Sequence, residues 1–553
     1  MRQTAQMVRY ARLVAQVIMA YGAAVLVNTL TRQLRLHGSR SLDDVLLTVP
    51  VFIGLSYIYL GFLLLRLKYN AWLTTVILSG LTVLLNGAGL LEHLLIGRRF
   101  SLQEALHSLV PLLLLLVLYV SRQVFRVRSD LVGFRRAVQS SVVVLAVAFV
   151  YGILGFMLLD KHDFHREISL PTAAHQTIDQ FRITTPGVTA YTRRARLFMD
   201  SLSVSSGVVA LYVAAAFFQP IRFHLRSDDK QRALAKELLQ NHPHDIDDFF
   251  KLWPHDKQYF FDSTQEAGLA YRVTAGMAVV VGNPFGNAKR FLLLVQAFQD
   301  FCFVNDWRPA FAHINGEHQA MYEKLGFRLQ KVGEEAVLDL ASFATIKNDK
   351  YFRQIRNRFT KQGYAVALLS PPHSPALLRR LAAISDDWLQ RPGRAERGFM
   401  MGYHSDDYLQ QCTVAIVRDD SGTICGFMNL VPTFEEGWAN YDMLRCEASA
   451  PGNCNDFLLM GVIELLHEQG VTTLNLGLSP LRGLTANTEA TNVIDAALRL
   501  VYANGDRFYS FSGLERFKDK YHPTWEDRYM AYSGGPAGFA RAMTALTRAM
   551  KVK

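Results

Sequence analysis

A carboxylate and a guanidinium, Asp442 and Arg445, stand three residues apart at the end of a predicted strand. Alternate strand residues face opposite sides, so the two share one role only if a bulge intervenes. The loop Pro451-Gly452-Asn453-Cys454-Asn455-Asp456 follows, and then a helix signal over 456–469 closed by Gly470. A helix N-terminus carries unpaired N–H groups and the positive dipole end, which makes it an anion site. Asn455 or Asp456 can cap this helix, and Asp456 can equally serve as a ligand for an ammonium group. Glu334 and Glu335 offer further carboxylates, either to a substrate or at the edge of an element. Lys518, Lys520 and Arg528 alternate with Phe517, Tyr521, Trp525 and Tyr529. Basic groups hold phosphates and aromatic faces stack on unpaired bases, although the same pattern describes a basic surface over an aromatic core. Arg353, Arg356, Arg358 and Lys361 recur at helical spacing, as a phosphate-backbone contact or a solvated face would. His313, His318, His404 and His467 show no metal-ligand spacing, and the five cysteines form no CxxC pair, so no metal is expected. Scattered, unpaired cysteines fit reduced thiols in a cytosolic region.

The elements that position these groups fall in the second half of a chain of 553 residues, too long for one soluble domain. Half of the residues are hydrophobic and the mean hydropathy is +0.10. The apolar residues concentrate before about residue 225, where runs near 11–30, 45–66, 71–92, 107–125, 136–159 and 202–220 approach the ~20 residues a spanning helix needs. A multi-pass region of about six spans over residues 1–222 is therefore expected. The basic linker Arg122–Arg136, placed inside, puts both the N-terminus and the C-terminal region in the cytosol. The loop 160–196 then faces outward. The formal charge of +11 points to anionic lipid headgroups or nucleic acid, or to the positive-inside bias alone.

After Arg222 strand and helix signals alternate, which indicates an α/β or α+β fold. A strand near 276–281, a turn Gly282–Gly286, a helix over 288–305 and a strand near 310–314 form one series. Strands near 423–432 and 439–445, a loop, the helix over 456–469 and a strand near 472–478 form a second. Strand, glycine-bearing loop, helix, strand resembles the core of GNAT-type acyltransferases. Two tandem GNAT-like units are expected, over 223–371 and 372–553, the second carrying the active site.

Six ordered strings carry a closer resemblance: Val332–Ala336, Ile384–Leu389, Asp442–Arg445, Asn475–Leu481, Gly513–Tyr521 and Pro523–Tyr529. Over residues 225–535 they resemble the catalytic domain of the aminoacyl-phosphatidylglycerol synthases, the lysyl- and alanyl-transferases also called multiple peptide resistance factors. That resemblance implies transfer of lysine or alanine from aminoacyl-tRNA to a glycerol hydroxyl of phosphatidylglycerol, or a related anionic lipid. It implies a bacterial-type inner membrane, a less negative surface, resistance to cationic peptides, and no cofactor, since the ester is already activated. Such a reaction needs a proton acceptor, an ammonium ligand and charge stabilisation for the oxyanion. Asp442 is assigned to the first or second of these, and Arg445 to a phosphate or the oxyanion. The sequence departs from the family in three ways. Residues 1–222 leave no room for the further helices that flip the product, so lipid export is not expected. The loop usually written Pro-Asn-Gly-x-Met-Asp is altered at 451–456, and a Gly-Asp-Pro turn is Gly282-Asn283-Pro284. Two other functions stay open: an acyl-CoA-dependent GNAT enzyme, for which the loop lacks the glycine-rich pyrophosphate pattern, and a non-catalytic membrane scaffold.

Overall fold

The computed structural model describes residues 229–483 and 511–552 without interruption, and 10–27, 49–83, 112–127, 131–181 and 190–217 with short breaks. The chain separates into two units: Met1–Arg222 with Phe303–Asp306, and Phe223–Cys302 with Trp307–Lys553.

The described part of the first unit is mainly helical. Its described helices include α1 (Val49–Leu65), α2 (Leu131–Leu158), α3 (Leu170–Phe181) and α4 (Arg193–Phe217). In α2, glycines let neighbours approach: a Cβ on Gly155 would lie 2.1 Å from the Phe198 ring of α4, and one on Gly152 would strike Thr177 of α3. Phe156, Ala173, Ala195, Phe198 and Leu202 form the buried seam. The other side of α2 presents Val143, Val147 and Leu158, 63%, 65% and 81% exposed. An apolar helix with a bare apolar side is what lipid contact requires. Among the described residues, Val138–Leu158 is the one stretch long and apolar enough to cross a membrane. It matches the expected span at 136–159. Residues 84–92 of the expected span at 71–92 and residues 107–111 of that at 107–125 lie outside the described residues. The stretch 160–196, expected as a loop, holds α3 and the start of α4.

Among the described residues, the second unit is built on one 12-stranded sheet. Its strands are β1 (Gln258–Phe261), β2 (Ala267–Thr274), β3 (Met277–Val281), β4 (Phe285–Gly286), β5 (Arg308–Ile314), β6 (Arg328–Asp339), β7 (Ala365–Leu369), β8 (Thr413–Arg418), β9 (Ile424–Val431), β10 (Trp438–Cys446), β11 (Thr473–Pro480) and β12 (Thr524–Tyr532). The order is β1-β2-β3-β5-β12-β6-β11-β10-β9-β8-β7, with β4 on β2. Two pairs are parallel, β3/β5 and β10/β11. Each is joined by a helix, α5 (Phe291–Val304) and α8 (Cys454–Glu468). The strand–helix–strand series therefore occurs twice in the structure, as its sequence pattern indicates. The remaining helices near the site are α6 (Lys350–Lys361), α7 (Pro375–Leu389), α9 (Phe511–Asp519) and α10 (Pro536–Ala549).

A division at 371/372 does not follow a seam of this sheet. β7 precedes that boundary yet pairs with β8 at the far edge. β12 lies beyond it yet enters between β5 and β6, and α10 packs on β2 and β3. Strand edges pair by register and by their apolar faces, not by chain order, so the last strand of the chain lies between two strands of the expected first unit.

Candidate functional site

β10 and β11 pair only from Trp438/Thr473 to Asn440/Asn475 and then part. Each strand is irregular where it leaves the other. β10 shifts register against β9 between Tyr441 and Leu444, and β11 shifts against β6 between Asn475 and Leu478. Gly477 supports the second irregularity with φ +81°, a conformation that a side chain disfavours. The candidate site groups gather around this fork.

The β10 irregularity brings Asp442 and Arg445 to the same side, so the bulge condition raised by their spacing is met. Asp442 Oδ2 accepts hydrogen bonds from the Gly402 N–H and the Tyr408 hydroxyl, each at 2.8 Å. Asp442 Oδ1 has no hydrogen-bond partner among the described residues. Burial is the main cause that lifts its pKa to about 7, against the hydrogen bonds and Arg445, which pull it down. Arg445 is buried and bonds both oxygens of Glu396, at 2.7 and 2.8 Å. It also bonds the Ser385 hydroxyl of α7 and lies over the Trp388 ring.

On the other side, α8 begins differently from the sequence expectation. Asn453 precedes the helix in the left-handed region (φ 68°), and neither Asn455 nor Asp456 caps it. Asp456 lies in the first turn, buried, and accepts from Lys520 Nζ (2.6 Å), the Tyr521 hydroxyl (3.0 Å) and the Tyr351 hydroxyl (3.0 Å). Asn455 is exposed. A cleft of about 350 Å³ lies here, lined by Arg391, Glu447, Asn455, Asp456 and Phe517 among others.

The basic and aromatic cluster is reordered by the fold. Tyr521 is buried in the core against Phe343 and Phe352. Lys518 is buried and donates to the carbonyls of Gly477 (2.7 Å) and Leu478 (2.9 Å) at the fork. Burial lowers its pKa to about 7, despite Glu335 and Asp247. Arg528 is buried, ion-paired to Glu335 and 3.4 Å from Asp245. Lys518 and Arg528 therefore face inward, and a nucleic-acid surface role for them is corrected. On α6, Phe352, Ile355 and Phe359 take the buried face. Arg353 and Lys361 are exposed, Arg356 reaches Glu464 at 3.5 Å, and Arg358 bonds the Gly452 carbonyl of the loop before α8.

A second cluster escaped the sequence reading. His313 Nε2 lies 2.8 Å from Asp247 and 3.4 Å from Glu335. Asn440 donates to Asp247 (2.7 Å) and Asn475 to Glu335 (2.9 Å), so the two residues that end the β10/β11 pairing hold both carboxylates. Burial lowers the His313 pKa, but the facing carboxylates outweigh it and raise it to about 10. Arg528 and His313 hold Glu335 well below its usual range, despite burial. The ligating atoms of Asp247, His313 and Glu335 lie within 4.8 Å of one another, a reach that suits a metal ion. In the geometry seen, His313, Arg528 and the two amides already satisfy these carboxylates. Glu334, named with Glu335 in the sequence, points elsewhere and pairs with Lys331 (2.6 Å) and Arg482 (3.1 Å). Its neighbour Glu335 is the buried one. The alternation of a strand carries this distinction, but only the sheet neighbours decide which face is inside.

Residues 236–532 match the family model for the C-terminal region of phosphatidylglycerol lysyltransferase. The chain belongs to this family. The lysyltransferase of Bacillus subtilis (strain 168) is 34% identical over 279 residues, 50% of this chain and 32% of that protein. That of Staphylococcus aureus (strain MSSA476) is 28% identical over 282 residues, 51% of this chain and 33% of that one. The matched region thus spans about a third of these curated relatives. Among solved structures, L-PGS from Bacillus licheniformis aligns with TM-score 0.53 and 31% identity, covering 59% of this chain and 98% of that one. The C-terminal domain of a putative lysylphosphatidylglycerol synthetase from Agrobacterium fabrum aligns at 0.51 and 28%, covering 58% and 97%. The aligned family region contains the fork between β10 and β11 and every candidate residue around it.

Proposed function

We propose that this chain transfers an aminoacyl group, lysyl or alanyl, from aminoacyl-tRNA to a glycerol hydroxyl of phosphatidylglycerol at the cytosolic face of a membrane. The geometric observation that carries this reading is Asp442: a carboxylate at the edge of neutrality, with one oxygen held and the other available, beside Arg445. Asp442 Oδ1 accepts the proton of the attacking hydroxyl or receives the α-ammonium group. A base with a pKa near the working pH combines a useful ionised fraction with proton affinity. The attacking oxygen forms the new ester bond, the old ester bond to the tRNA ribose breaks, and the proton passes to the departing ribose oxygen. Arg445 stabilises the oxyanion if its bond to Glu396 exchanges for substrate. Lys518, close to neutral charge, is a second proton-handling group at the fork. Asp456 with Lys520 orients the substrate at the start of α8, and the exposed Arg353 and Lys361 supply phosphate contacts. The first unit, multi-pass in this reading, brings the site to the lipid. The product headgroup is less negative, which weakens the attraction of cationic peptides.

The test is lipid extraction from cells expressing the chain, with labelled lysine and alanine compared, followed by chromatography and ninhydrin staining. A new amino-positive lipid that disappears in Asp442→Ala is expected. Its absence beside an active lysyltransferase control would overturn the reading.

A further inference from the structure

Three cysteines that the chemistry above does not use converge where β10 gives way to α8. Cys446 closes β10 and Cys454 is the first residue of α8. Their Sγ atoms are 2.8 Å apart. A disulfide bond is ~2.05 Å long, so the two sulfurs need to close by less than 1 Å. Gly426, opposite Cys446 on β9, makes the room: a Cβ there would lie 2.5 Å from Cys446 Sγ. Cys425 also touches Cys454, pulling its pKa down, but the Cys446 contact and burial outweigh this and hold that thiol above its ordinary range. Both Cys446 and Cys454 line the cleft at the start of α8. Small oxidants therefore have a route to this pair, whereas Cys302 and Cys412 are fully buried in other parts of the unit.

We propose that Cys446 and Cys454 form a dithiol that a small disulfide oxidant converts into an intramolecular disulfide. The Cys446 thiolate attacks one sulfur of the oxidant and expels the other as a thiolate. Cys454 then attacks the Cys446 sulfur of the mixed disulfide and expels the second thiolate. Two electrons and two protons pass to the oxidant, which leaves as two thiols. The new bond closes the loop 447–453 on itself. It also ties the end of β10, which carries Asp442 and Arg445, to the turn that carries Asp456. Burial and the Cys446 contact raise the Cys454 thiol pKa, which slows its reaction until such an oxidant enters the cleft.

The full chain in detergent micelles is incubated with oxidised glutathione, remaining thiols are blocked with iodoacetamide, and peptides are mapped by mass spectrometry. Two of the five thiols are expected to be lost, with a linked Cys446–Cys454 peptide that dithiothreitol releases. Cys446→Ser should abolish the linked peptide and Cys302→Ser should leave it intact. Five alkylated thiols after oxidation, or linkage of Cys425 to Cys454 alone, would overturn the proposal. The mapping needs no enzymatic activity, so its outcome is independent of the proposed transfer.

Discussion

Asp442 carries a stability cost that its neutral form avoids. A folded pKa near 7, against 3.8 for the ordinary carboxyl, means the folded chain binds more protons than the unfolded one between those values. Stability from this group is highest below pH 4, falls as pH rises to 7, and then levels. Asp442→Asn should therefore raise unfolding free energy at pH 8 by about 2 kcal/mol, measured by urea denaturation, while lowering transfer by about 10²–10⁴-fold. In the unmodified chain kcat/KM should rise with pH to about 7, as a base with that pKa requires. The buried network has the opposite character. Glu335 is charged and held by Arg528, His313 and Asn475. Glu335→Gln leaves two buried cations short of a partner and should cost about 3–5 kcal/mol, visible as a large fall in Tm. His313 contributes its ion-pair stability fully below pH 6.5 and loses it as pH climbs toward 10.

At the scale of elements, α6 separates its basic residues by their surroundings. Arg356 and Arg358 are engaged with Glu464 and with the loop before α8, whereas Arg353 and Lys361 face solvent. If α6 contacts tRNA, the double change Arg353→Glu and Lys361→Glu should weaken tRNA association and reduce its salt slope by about 1–2. Binding titrations at several salt concentrations measure this, and an unchanged slope would remove α6 from the contact surface. The fork is also an element property. β10 and β11 diverge where both carry irregularities at the same level, and one side of β10 presents Asp442 and Arg445 there.

At the scale of the molecule, described residues of the second unit build large hydrophobic clusters of its own. Residues 223–553 expressed alone should fold with a cooperative transition, since a domain with its own core needs no other. Transfer to phosphatidylglycerol in vesicles should fall when the first unit is removed, because collision with a surface replaces residence on it. Equal rates per molecule for both chains would show that the first unit does not deliver the site to lipid.

Local patterns made much of this legible. The strand–helix–strand series, Gly470 at the end of α8 and the apolar run of α2 follow from period, length and turn chemistry, which neighbours along the chain determine. Asp442 and Arg445 were visible as a pair, but whether they share a side hung on the bulge, which strand pairing alone decides. The sequence offered no means to bring Asp247, His313, Glu335, Asn440 and Asn475 together, since they are scattered over more than 200 residues and meet only through sheet order. It likewise left Lys518 and Arg528 as surface cations. The insertion of β12 between β5 and β6 and the partners at the fork turned them inward, because burial belongs to neighbours in space and not in sequence.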